Sequence, residues 1–142
     1  MRNKFTYLLP LLLIFIVACT KNNVTPTLLP SGTFSGTFLR LHLNKNNTID
    51  SAKVSTVLVM ETATGYAVTS DTSTFQAGSK GNYIFGTNNF VEFLDVTYPA
   101  TGIPAKTHLF GIYQYSFDGT NLLMAASTDS LGYQYTLKRT GN

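Results

Sequence analysis

From residue 31 onward, apolar and polar side chains alternate with a period of two, and no long window carries the stripe of an amphipathic helix. The recurring residues are Val, Ile, Tyr, Phe and Thr, whose branched or flat side chains suit a pleated, half-buried surface. The pattern predicts strands over residues 33–43, 54–62, 66–70, 74–77, 83–85, 90–97, 109–117, 122–127 and 133–139. Turn-forming clusters lie between them: Asn44-Lys45-Asn46-Asn47, Gly78-Ser79-Lys80-Gly81, Gly86-Thr87-Asn88-Asn89 and Asp118-Gly119. Residues 98–107, with Pro99, Gly102 and Pro104, make one long loop.

The last third predicts its own register. A two-residue type I′ turn at Asp118-Gly119 places Phe117 opposite Thr120, Tyr115 opposite Leu122, Tyr113 opposite Met124 and Gly111 opposite Ala126. A second tight turn at Asp129-Ser130 sets Ala126 against Tyr133, Met124 against Tyr135 and Leu122 against Leu137. Both turns assign the same side chains to the core, an agreement that a one-residue slip would destroy. Eight or nine short antiparallel strands in about 110 residues predict an all-β fold, a single antiparallel meander barrel of about eight strands, with a β-sandwich as the alternative. Closure into a barrel removes the exposed strand edges that an open sheet would present.

The N-terminus is of another kind. Arg2 and Lys4 precede an uncharged apolar run over residues 8–18. At ~1.5 Å per helical residue this run covers about 17 Å, well short of the ~30 Å hydrocarbon layer, so it reads as a signal peptide and not as a permanent span. Ile16-Val17-Ala18-Cys19 resembles the bacterial lipobox, in which a small residue precedes a Cys whose thiol receives diacylglycerol. The resemblance implies cleavage after Ala18 and lipid attachment at Cys19. Acyl chains contribute ~0.8 kcal/mol per buried CH₂, so two or three of them anchor a protein without a spanning helix. It also implies outer-membrane placement, since Thr20 stands where inner-membrane retention uses Asp. Lys21-Asn22-Asn23 replaces the acidic residues of many surface-exported lipoproteins, which favours the periplasmic face. The chain thus divides into a signal peptide (1–18), a lipidated Cys with a polar tether containing Pro26 and Pro30 (19–30), and a β-barrel domain (31–142).

Composition narrows the function. The chain of 142 residues holds ten Lys and Arg against seven Asp and Glu, an excess of three, and only 12% of its residues are charged. Removing Arg2 and Lys4 with the signal peptide lowers that excess to one. Lys138 and Arg139 are the only adjacent basic pair, so no basic stripe points to nucleic acid. One Cys permits no internal disulfide, and it is already assigned to lipid. No Gly-x-Ser-x-Gly, P-loop or Cys–His arrangement occurs, so the chain reads as a non-enzyme without a cofactor or metal.

Four tyrosines, Tyr113, Tyr115, Tyr133 and Tyr135, share one face of adjacent predicted strands and are candidates for lining a ligand cavity, with rings as walls and hydroxyls as orienting groups. The same residues also suit a packed core. Glu92 shares its strand face with Phe90, Leu94 and Val96, and a carboxylate on an inward face would mark a binding site; the alternative is that Glu92 points outward or pairs with a Lys of a neighbouring strand. Asp95 falls on the opposite face with Val91 and Phe93, so the two acids cannot form a dyad. His42 and His108 read as solvent-facing, and Arg40 with His42 reads as an outward polar row between Leu39, Leu41 and Leu43.

The domain resembles the lipocalin-like (calycin) barrels of small bacterial lipoproteins. In that superfamily the first strand carries Gly-x-Trp, and a basic residue of the last strand covers the ring. Here Gly36-Thr37-Phe38 takes the first position and Arg139 the second, within a tandem Ser-Gly-Thr-Phe beginning at Ser31. The resemblance implies an envelope lipoprotein that binds a small apolar or amphipathic ligand near the membrane. The alternative is a non-catalytic module that docks an envelope protein through its outer face or the 98–107 loop.

Overall fold

The structure is a computed structural model and describes residues 28–71 and 73–141; the expected signal peptide, Cys19 and most of the expected tether lie outside the described residues. Eight strands follow in order: β1 Gly32–Leu43, β2 Ile49–Glu61, β3 Gly65–Thr69, β4 Lys80–Phe85, β5 Phe90–Asp95, β6 Gly111–Phe117, β7 Asn121–Ser127 and β8 Leu131–Gly141. Each pairs antiparallel with its neighbour in sequence, and β1 pairs with β8, so the sheet closes into a meander barrel. Closure requires close approach of the first and last strands. Gly36 sits opposite Leu137 at that seam, and a Cβ there would run into the Thr136 carbonyl.

The alternation in the sequence becomes inside and outside. Phe34, Phe38, Leu58, Met60, Phe93, Leu109, Leu122 and Tyr135 are wholly buried and belong to one continuous core. Phe38 stacks on Tyr135 at 4.6 Å between ring centroids, and Tyr66 meets Phe93 edge-on at 4.8 Å. These are favourable aromatic geometries. The barrel interior is therefore filled by side chains, as the diameter of eight strands allows.

The β7–β8 pairing is the expected one: Leu122 faces Leu137, Met124 faces Tyr135 and Ala126 faces Tyr133. The β6–β7 hairpin is shifted by two residues from expectation, with Tyr115 opposite Met124 and Phe117 opposite Leu122. The turn is centred on Gly119-Thr120, not Asp118-Gly119. Gly119 takes the positive φ (97°), and the Asp118 carboxylate accepts the backbone N–H of Thr120 (2.8 Å) and of Asn121 (2.6 Å). An even shift leaves every side chain on its face, so the core survives the change of partner.

Four further expectations are corrected. Residues 74–77 form no strand; they lie in the loop after β3, and Gln76 makes a single parallel bridge to Thr107. β2 begins at Ile49, because its polar first turn continues to pair with the end of β1. Arg40 and His42 share the parity of Phe34 and Phe38, and the leucines between them face outward. Finally, Arg139 covers Phe34 and not Phe38. Its guanidinium lies 5.6 Å from the Phe34 ring and 5.1 Å from the Phe117 ring, and it donates to the Ser31 carbonyl at 2.7 Å. The first copy of the tandem, Gly32-Thr33-Phe34, is thus the one that receives the arginine.

Candidate functional site

The ends of β1, β3, β5 and β7 lie with the starts of β2, β4, β6 and β8 at one rim of the barrel, and the two longest loops open there. The loop after β3 is ordered by Asp71, whose side chain accepts the Ser73 N–H at 2.8 Å and whose carbonyl accepts the Thr74 N–H at 3.0 Å. It then turns inward, burying Gln76, Ala77 and Ser79. The loop after β5 is joined to it by two backbone bonds, Ala77 N–H to the Thr107 carbonyl (2.9 Å) and Thr107 N–H to the Phe75 carbonyl (2.8 Å). Two irregular segments thus satisfy each other's buried backbone groups.

Asp95, at the end of β5, organises the second loop. One carboxylate oxygen accepts the N–H (2.7 Å) and the hydroxyl (2.6 Å) of Thr97, and the other accepts Nδ1–H of His108 at 2.7 Å. Burial pushes this carboxyl up, but hydrogen bonds from Thr97, His108 and Ser79 outweigh it and hold the group below the usual carboxylate value. The carboxylate holds the His108 ring in place through Nδ1. Tyr98 packs edge-on to His108 at 5.2 Å and lies over Phe110 at 4.6 Å. Ser79, 1% exposed, accepts the Leu109 N–H through its hydroxyl oxygen and is shut away from solvent.

Between this loop, the end of β1 and the start of β8 lies a cleft of about 420 Å³. Tyr98, Ile103, Pro104, Phe110, Leu131 and Tyr133 give it apolar walls, Tyr113 reaches it from the core, and Arg40, Lys106 and His108 line it with polar groups. A second depression of about 360 Å³ shares Arg40 and Leu131 with the first and continues along His42, Asp50, Ser51 and Ala52. Arg40 stands at the boundary of the two. Its guanidinium lies 4.7 Å above the Phe75 ring and donates to the Thr107 hydroxyl at 3.3 Å.

The four tyrosines all face inward but divide by depth. Tyr133 and Tyr113 border the cleft, and Tyr135 lies beneath, 5.9 Å edge-on from Tyr113 and hydrogen-bonded to Gln76 at 3.2 Å. Tyr115 is further down, against Phe85 at 5.3 Å, and lines no part of the cleft. Burial raises the hydroxyl pKa of Tyr113 and of Tyr135; that of Tyr133 is also raised by burial, against the pull of the Arg40 charge. Glu92 points outward and is exposed, so it does not belong to the interior. Its strand turns Val91, Phe93 and Asp95 inward instead, and Asp95 is the buried carboxylate.

His108 is a further correction: its Nδ1 lies 2.7 Å from the Asp95 carboxylate and its side chain is only 11% exposed, whereas His42 is exposed as expected. Sequence reasoning missed Arg40, Tyr98 and His108 as a group. Arg40 had a usable signal, since it lies two residues after Phe38 and so faces the same way. The His108–Asp95 pair had none, because a loop conformation brings them together. Among the described residues, no three His, Cys, Asp or Glu side chains gather to hold a metal ion. No protein-family model, curated protein or solved structure matches this chain.

Proposed function

We propose that this protein is a lipid-anchored envelope lipoprotein whose barrel binds a small amphipathic molecule, at its mouth and not in its interior. The carrying observation is the cleft of about 420 Å³ bordered by Tyr98, Phe110, Tyr113 and Tyr133 with Arg40 and His108 beside them. Its size falls within the range of small-molecule sites, and its mixture of aromatic walls with a few polar groups is what such sites use. Phe38, Tyr135 and their neighbours pack the interior into one buried core. The anchor rests on Cys19 and the apolar run before it. Ser31, where the chain enters β1, lies at the end of the barrel opposite the mouth.

The test is a titration with N-phenyl-1-naphthylamine, a neutral fluorescent probe. Saturable one-site uptake that Tyr133→Ala weakens supports the reading, and absence of saturable uptake overturns it. Replacing Cys19 by Ser releases the chain from the membrane fraction; a Cys19→Ser protein still processed and membrane-bound overturns the anchor.

A second reading has its own observation. Val96 (72% exposed), Ile103 (97%) and Ile112 (61%) display apolar surface on and beside the long loop. Scattered exposed apolar residues are ordinary, but several grouped beside one loop suit docking of an envelope protein. One discrete adduct from a photo-crosslinker at position 103 in intact cells, together with no probe uptake, would favour this reading over the first.

A further inference from the structure

We infer that the mouth selects an amphipathic organic anion, with Arg40 as the residue that takes its oxyanion head; the inference rests on the mouth-binding reading above. Arg40 is held ready for this role before any ligand arrives. Its guanidinium carbon lies 4.7 Å from the Phe75 ring centroid, a cation–π contact, and the Thr107 hydroxyl takes only one of its N–H donors. A guanidinium carries five such donors in a rigid fork that matches an oxyanion with two oxygens.

The charge on Arg40 is not met by a carboxylate among the described residues, and the nearby acids are engaged elsewhere. Asp50, in the adjoining depression, is bound by the Asn44 amide at 2.7 Å. Asp95 is bound by His108 and Thr97. Tyr133 pairs with Arg40 across the β1–β8 seam and lines the same cleft, so its hydroxyl can donate to the same head group. A ligand placed so would direct its apolar body over Tyr98, Ile103 and Phe110. The site is thus built in two parts, a charged corner beside an aromatic wall, and an anion with one apolar end satisfies both.

Two probes that share a ring system separate the head from the body: anilinonaphthalene sulfonate, which is anionic, and N-phenyl-1-naphthylamine, which is neutral. Each is titrated by calorimetry into the full-length chain in a non-ionic detergent, with detergent alone as the blank. The wild type is expected to bind the sulfonate more tightly than the amine. Arg40→Gln should weaken the sulfonate by about tenfold, the scale of one lost charge-assisted contact, and change the amine by less than about twofold. Tyr133→Phe removes only a hydroxyl and should weaken the sulfonate by about threefold. Thermal unfolding of both variants confirms that they are folded. If the amine binds as tightly as the sulfonate, or if both variants leave the sulfonate unchanged, the inference fails while the mouth-binding reading stands. If neither probe binds saturably to the wild type, both fail together.

Discussion

The two ends of this barrel use the same pair of side chains for opposite purposes. At the closed end, Arg139 of β8 lies over Phe34 of β1 and over Phe117, and it donates to the Ser31 carbonyl at the chain's entry to the barrel. At the open end the roles of the strands are exchanged: Arg40 of β1 sits opposite Tyr133 of β8 and lies over Phe75. Both arginines are on inward-facing positions of the closing seam. The difference lies in what surrounds them. Phe34 and Phe117 meet edge-on at 5.8 Å and, with Arg139 across them, form a seal. Phe75 and Thr107, by contrast, come from two loops that stand apart from the strands and leave a cleft beside the guanidinium. An arginine enclosed by strands is a structural closure; the same residue enclosed on one side only borders a cleft.

That contrast breaks if the two ends respond alike to substitution. The largest effect is expected for Phe34→Ala, which removes a wholly buried ring and should cost about 3–5 kcal/mol in urea unfolding. Phe75→Ala, at the half-buried mouth, should cost about 1–2 kcal/mol. Equal losses would show that the mouth is as integral to the core as the closed end.

Next in size is Asp95→Asn, which unpairs His108 and weakens the Thr97 bonds, with an expected cost of about 2 kcal/mol near neutral pH. The carboxyl of Asp95 is held below its ordinary value in the fold, so the folded state resists its protonation. Its stabilising share is complete above the free carboxylate value near ~3.9 and is lost as the pH falls through the lower folded value. The unfolding midpoints of wild type and Asp95→Asn should therefore converge in acid. A gap that persists at pH ~2 would show that the pair contributes through shape and not charge.

A smaller difference is expected between the arginines themselves. Arg139→Met should destabilise by about 1–2 kcal/mol, through the lost ring contacts and the Ser31 bond. Arg40→Met should cost less than about 1 kcal/mol, because only one ring and one longer hydrogen bond are lost. Smallest of all, Glu92→Gln should change stability by less than about 0.5 kcal/mol and leave probe binding unaltered, as befits an exposed outward side chain. Any loss of binding in that variant would contradict the placement of the site.

How far the sequence reached can be judged from particular strands. The alternation in residues 111–139 was enough to assign Tyr113, Tyr115, Tyr133, Tyr135, Leu122 and Met124 to one interior, and the β7–β8 register followed from a two-residue turn. The β6–β7 turn was misplaced because two neighbouring dipeptides could each make it, and Asp118 decides between them by capping the N–H groups of Thr120 and Asn121. The orientation of Glu92 stayed open between an inward site carboxylate and an outward side chain, because its apolar neighbours Phe90 and Leu94 suggest an inner face yet face outward with it. On a barrel whose outer wall carries Ile84 and Ile112, hydrophobicity alone does not give the side of a strand.

Local chemistry determined the all-β class and the meander order, because a period of two and the residues of tight turns act over a few neighbouring positions. Tertiary structure decided which phenylalanine Arg139 covers, where Arg40 points and how His108 finds Asp95. Those outcomes depend on barrel closure and on two loops that bond to each other across 31 residues of chain, between Gln76 and Thr107. Contacts of that range have no period and no motif in the sequence; they exist only once the sheet has closed and set the distance the loops must span.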